Sequence, residues 1–147
     1  PGVYDKVGLI IPQLAFYNIE NISLLGANGW NSPELIKMGG KFLKSIYFVD
    51  GFYSDSNKIN VGKFVQQFQN NYGEPPSQLS AQAYDAAGMI FQGINLGGKN
   101  RLKLKENLLK IQSYQGVTGK TYIKDSGDSA KEIFALTVKN KKIVEDN

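Results

Sequence analysis

The stretch from Pro75 to Ile94, PPSQLSAQAYDAAGMIFQGI, limits the possible folds more than any other. A polar, proline-rich loop runs there into a segment whose pattern predicts a helix from about Ser80 to Leu96. Past its first turn that helix is almost entirely small and apolar, and a helix apolar around its circumference has to be enclosed by other elements. The first turn instead carries Ser80, Gln82 and Tyr84, with Asp85 just behind. Unpaired backbone N–H groups and the positive end of the helix dipole point outward at such an end, where small polar ligands are often met.

The rest of the chain alternates helical and extended patterns. Val7, Ile10, Ile11, Leu14 and Tyr17 recur at helical spacing over residues 5–19, with Pro12 expected to kink that helix or start a new segment. Ile22–Ala27 reads as a buried strand. Ser32 and Pro33 open a second helix that Gly39-Gly40 stops. Ser45–Phe52 is a β-branched and aromatic strand. After the polar loop Ser54–Lys58, Val61, Phe64, Val65, Phe68 and Tyr72 mark one face of an amphipathic helix closed by Gly73. Asn100 caps a last helix with Leu104, Leu108 and Ile111 as its apolar stripe. Strands are expected over Gly119–Ile123, Glu132–Val138 and Lys142–Glu145, separated by turns at Lys124–Asp128 and Asn140-Lys141. The fold class is α/β with a parallel sheet at its core.

Any chemistry here proceeds without histidine or cysteine. That removes the usual general base, the common zinc ligands, disulfides and a Ser–His–Asp triad, so no enzyme activity is expected, and no metal or cofactor. The net charge of +4 comes from scattered lysines and the single arginine, Arg101. Without Arg forks on one face, the lysines read as a solvated surface and no nucleic-acid partner is expected. A chain of 147 residues suffices for one domain with a real core. No apolar run approaches the ~20 residues of a membrane span. The opening Pro1-Gly2-Val3-Tyr4, without Met or signal peptide, reads as a mature product or a fragment of something longer.

Several residues are candidates for a site. Asn28, Trp30 and Asn31 follow a strand, where open α/β sheets bind ligands, and Trp30 either stacks on a ligand or covers the adjacent helix. Tyr84 either faces a ligand or packs with its hydroxyl satisfied, and Asp85 favours the helix amino end. Asp125, Gly127 and Asp128 lack the alternating ligands of a calcium loop and read as a hairpin turn. Gly26-Ala27-Asn28-Gly29 lacks the third glycine of a dinucleotide loop.

Five strings, LLGANGWNSPEL (Leu24–Leu35), SIYFVDGFYSD (Ser45–Asp55), FVQQFQNNYGEPPS (Phe64–Ser77), AQAYDAAGMI (Ala81–Ile90) and GVTGKTYIKDSGD (Gly116–Asp128), occur in one order. Together they resemble the carboxy-terminal part of type I periplasmic solute-binding proteins of the leucine/isoleucine/valine-binding kind. The resemblance implies a Rossmann-like parallel sheet flanked by helices, incomplete here because the family is much longer. It implies residues 1–46 in a second lobe, a hinge crossing over 47–53 with Asp50, Phe52 and Tyr53 setting closure geometry, helices 54–112 in the first lobe, and strands 113–147 near the hinge. It also places Tyr4 and Asp5 where relatives hold an acidic residue for the ligand's ammonium group, and Ala81 and Gln82, ahead of Tyr84, toward the cleft. The function it implies is recognition of an amino acid or similar small polar ligand for an ABC-type permease. The location implied is periplasmic or extracellular, with a lipid anchor upstream of Pro1 as one form of it. A receptor-like module that regulates an envelope enzyme is the alternative. Either the chain is a fragment, or two chains exchange elements as a homodimer, since Phe64, Phe68 and Phe91 would otherwise find too little to pack against.

Overall fold

The computed structural model describes residues 2–19 and 21–146. Pro1 lies outside them. The chain forms two compact units, one of residues 1–50 and 134–147, the other of residues 51–133. It therefore passes between them twice, at Asp50–Gly51 and at Ile133–Phe134. The first passage falls within residues 47–53, and the strands expected over 113–147 are shared between the units.

In the first unit, α1 (Tyr4–Phe16) runs without a break through Pro12. It ends earlier than its apolar periodicity because Asn18 adopts φ 55°. Ile19 N–H reaches Leu14 C=O at 2.9 Å and Asn18 N–H reaches Ala15 C=O at 3.1 Å, the paired bonds of a left-handed helix stop. α2 (Pro33–Gly39) starts as expected, Ser32 Oγ accepting Glu34 N–H at 3.2 Å. Strands β1 (Leu24–Gly26), β2 (Ile46–Asp50), β6 (Phe134–Lys139) and β7 (Lys142–Glu145) form one sheet in the order β1-β2-β6-β7. Only β1 and β2 are parallel; β6 and β7 are antiparallel additions. The sheet is mixed because β6 enters antiparallel to β2; Asn140 and Lys141, both at positive φ, then reverse the chain within two residues into β7. One face, with Ile46, Phe48 and Leu136, is buried along with Val7, Ile11 and Leu35. The other face leaves Leu25, Tyr47 and Val49 exposed.

The second unit holds α3 (Ile59–Tyr72), α4 (Gln78–Asn95), α5 (Arg101–Leu109) and the antiparallel sheet β3 (Tyr114–Gly116), β4 (Gly119–Ile123), β5 (Ser129–Lys131). Its core is Phe52, Val61, Phe64, Ala81 and Val117, with Val65 and Phe68 packed against it. Gly73 closes α3 in the left-handed conformation, its N–H on Gln69 C=O. Asn100 Oδ1 caps α5 through Lys103 N–H at 2.9 Å. The segment Lys124–Asp128 is the hairpin turn expected, Gly127 taking φ 88°.

Two expectations about α4 are corrected. Its cap is Ser77, whose Oγ accepts Ser80 N–H at 3.1 Å, so the helix begins at Gln78 and not at Ser80. Gln82, Tyr84 and Asp85 thus stand in its second turn. Nor is the helix enclosed along its body. Ala81, Asp85 and Gly93 are buried, whereas Tyr84, Ile90, Phe91 and Ile94 are exposed. The enclosing elements here are few: Leu104 and Leu108 of α5 close over Gly93, and Tyr114 of β3 lies on Gly88. Phe91 is accordingly 65% exposed, but Phe64 is only 4% exposed and Phe68 packs against the same core, so those two do find partners.

Candidate functional site

The first unit gathers several candidate residues at the carboxy-terminal end of β1. Tyr4 and Asp5 open α1, which has no side-chain cap from Val3. Asp5 Oδ1 accepts Lys6 N–H at 2.7 Å, so its charge lies on the positive end of its own helix. Asn28 is exposed and begins a short 3₁₀ turn, Asn28–Trp30, directly after the strand. A Cβ on Gly29 would stand 3.0 Å from Val3 Cγ1, so this turn sits against the start of α1. Trp30 is 6% exposed; its indole N–H donates to Gly2 C=O at 2.9 Å and its ring packs near Phe48. That ring also fills the space a side chain at Gly26 would need, the nearest ring atom lying 2.2 Å from an ideal Cβ there. The indole is therefore spent on packing, and the face of the loop open to solvent belongs to Asn28. Asn31 Nδ2 donates to Asp50 Oδ2 at 2.8 Å, tying the same loop to the last residue of β2.

The second unit places the remaining candidates around the first turns of α4. Ala81, expected toward the cleft, is instead fully buried, its methyl in the core with Phe52, Val61, Phe64 and Val117 and its N–H on Ser77 C=O at 3.0 Å, so it presents no surface to a ligand. Gln82 is exposed. Tyr84 is about half exposed, with its ring 4.7 Å from that of Phe64. Phe52 and Tyr53 are buried. A concavity of about 270 Å³ opens beside Tyr84, lined also by Asn60, Lys63, Phe64, Gln67 and Tyr114.

Asp85 does more than favour a helix end. Buried in the second turn of α4, it accepts Val117 N–H at 2.8 Å, Thr118 N–H at 2.9 Å and Thr118 Oγ1–H at 2.5 Å. The Thr118 hydroxyl in turn accepts from Lys131 Nζ. A buried carboxylate requires such donors, because without them its desolvation costs several kcal/mol, on the order of a whole domain's margin. The helix is thereby fixed to the β3–β4 turn. Gly116 permits it: a Cβ there would fall 2.2 Å from Asp85 Oδ2. Tyr114 shares this environment, and burial, followed by the charge of Asp85 and the neighbouring Tyr84, pushes its phenol above the usual tyrosine range. Sequence spacing could not reveal this cluster, since its partners lie 32 and 33 residues apart.

The model of the periplasmic binding protein family matches residues 4–142, and the chain belongs to that family, one of non-enzymatic solute-binding proteins. Over 99% of its length it superposes with a TM-score of 0.91 on 42% of a putative branched-chain amino acid ABC transporter protein from Rhodospirillum rubrum, at 22% identity. A leucine-binding protein, LivK, from Thermotoga maritima matches 99% of the chain with 42% of its own, at 28% identity and a TM-score of 0.67. The branched-chain amino acid substrate-binding protein LivJ from Streptococcus pneumoniae, solved with isoleucine, matches 97% of the chain with 41% of its own, at 28% identity and a TM-score of 0.65. The chain thus spans well under half the length of these relatives. No match was found among curated protein sequences. Among the described residues no helix is long and apolar enough to cross a membrane.

Proposed function

We propose that this chain is the carboxy-terminal part of a solute receptor for an ABC-type uptake system, supplying part of the wall of a cleft for an amino acid. The observation that carries the reading is the similarity, at 28% identity over nearly the whole chain, to two proteins described as binding leucine and as solved with isoleucine. The local geometry supports it. The turn that begins at Asn28 follows a parallel strand, where α/β sheets take ligands, and lies against the start of the helix that Tyr4 and Asp5 open. In this reading Asp5 pairs with the ligand's ammonium group and Asn28 offers its amide. Trp30 holds the loop in shape, and Gln82 and Tyr84 are the ligand contacts that the second unit contributes. Residues 47–53, with Asp50, Phe52 and Tyr53, act as the hinge on which the lobes close. The closed form docks on a membrane permease outside the cytoplasmic membrane.

Calorimetric titration with leucine, isoleucine, valine and a wider amino-acid panel tests this. It is run on the chain alone and on the chain mixed with the amino-terminal portion of the Thermotoga maritima relative. Binding of at least one amino acid, weakened tenfold or more by Asp5→Asn, is the expected result. Heat from none of them in the mixture would favour instead a protein–protein module, a role that the exposed apolar side chains Leu25, Tyr47 and Phe91 would suit.

A further inference from the structure

Within the first unit a side chain bonds the passage at Asp50–Gly51, and within the second unit another lies against it. On the first side, Asp50 is 7% exposed and its Oδ2 receives Asn31 Nδ2 at 2.8 Å. Asn31 ends the 3₁₀ turn that carries Asn28 and the anchored Trp30, so this bond joins the proposed ligand loop to the residue at which the chain leaves the unit. On the second side, Gln78 opens α4, and its amide Nε2 lies 2.6 Å from where a Cβ on Gly51 would be; that of Gln82 lies 3.9 Å away. Glycine at 51 therefore lets the first turn of α4 rest directly on the passage. A hydrogen bond from an amide to a buried carboxylate is among the stronger polar contacts, and it is directional.

We infer that Asn31 and Gln78 are positioning residues that hold the Asp50–Gly51 passage from its two sides and set how freely one unit turns on the other. Asn31 then has a second consequence. Because it belongs to the same turn as Asn28, a ligand that moves the loop also loads or releases the passage. This rests on the reading of residues 47–53 as the hinge, and the test separates the two. The chain has no cysteine, so Lys142→Cys and Lys105→Cys, both exposed, give one clean spin-label pair spanning the units. Pulsed electron–electron resonance then reads the distance distribution.

Asn31→Asp sets a second carboxylate against Asp50 and is expected to widen the distribution about twofold, and Gln78→Ala to widen it by less. The exchanged pair Asn31→Asp with Asp50→Asn restores donor and acceptor in reverse and should return the width to that of the parent. A merely structural loss would not be repaired by the exchange. Inserting two glycines after Gly51 probes the hinge itself. If the insertion widens the distribution while Asn31→Asp and Gln78→Ala leave it unchanged, or if the exchanged pair fails to restore it, the inference is overturned and the hinge stands. If the insertion also changes nothing, the hinge reading falls and takes the inference with it.

Discussion

Asp85 is the residue on which the second unit most depends. It satisfies two buried backbone N–H groups and a hydroxyl at once, so truncation strands all three and leaves a cavity. Asp85→Ala is expected to lower stability by on the order of 3 kcal/mol in urea unfolding. Gly116→Ala should approach that loss although it removes nothing, because the new methyl occupies the space of the carboxylate. Tyr114, on the same cluster, gives a pH signature. Its phenol is raised by burial and by the nearby charge of Asp85, so the neutral form is the one the fold favours. That contribution is complete below the unfolded tyrosine value of about 10 and is lost as pH rises through the higher folded value. Thermal melts from pH 9 to 11 should show the parent losing stability more steeply than Tyr114→Phe.

Helix ends and turns were the most legible elements, because single residues decide them locally. Ser32 with Pro33, Gly73, Asn100, Lys124–Asp128 and Asn140-Lys141 each do what their chemistry dictates. The start of α4 misled because Ser77 and Ser80 are equally good caps in isolation, and the structure chooses the earlier one. Ser77→Ala is therefore expected to cost about 1 kcal/mol and Ser80→Ala less, by chemical denaturation. At the β6–β7 turn, Lys141 holds φ 58°, a conformation that taxes any residue with a Cβ. Lys141→Gly should stabilise the first unit by about 0.5–1 kcal/mol, checked in the same measurement. Short strands such as β3 and β5 were not legible, since three residues carry no period to read. Of the candidate site, the loop Asn28–Asn31 could be placed from its position after a strand. The burial of Trp30 and Ala81 could not, because it depends on Gly26, Phe48 and Val117, which approach only in three dimensions.

For the molecule as a whole, apolar side chains left in solvent are the dominant fact. β1 is an edge strand with Leu25 78% exposed, beside Tyr47 and Val49 on the same sheet face. Edges of this kind template association unless charge blocks them. Light scattering is expected to find concentration-dependent self-association of the chain alone. Leu25→Lys should reduce it without lowering the melting temperature, since that side chain is already outside the core. A monomer at every concentration would mean that these faces are quiet without a partner. The connectivity adds a matter of timing. The first unit is assembled from two remote stretches, with Thr137 Oγ1 donating to Ile46 C=O across 91 positions, while the second unit is one unbroken run inserted between them. On a ribosome that insert can collapse as soon as it emerges, while β2 waits with its antiparallel neighbour still unsynthesised. Amide protection during refolding should accordingly appear at Val117 and Thr118 before it appears along β6.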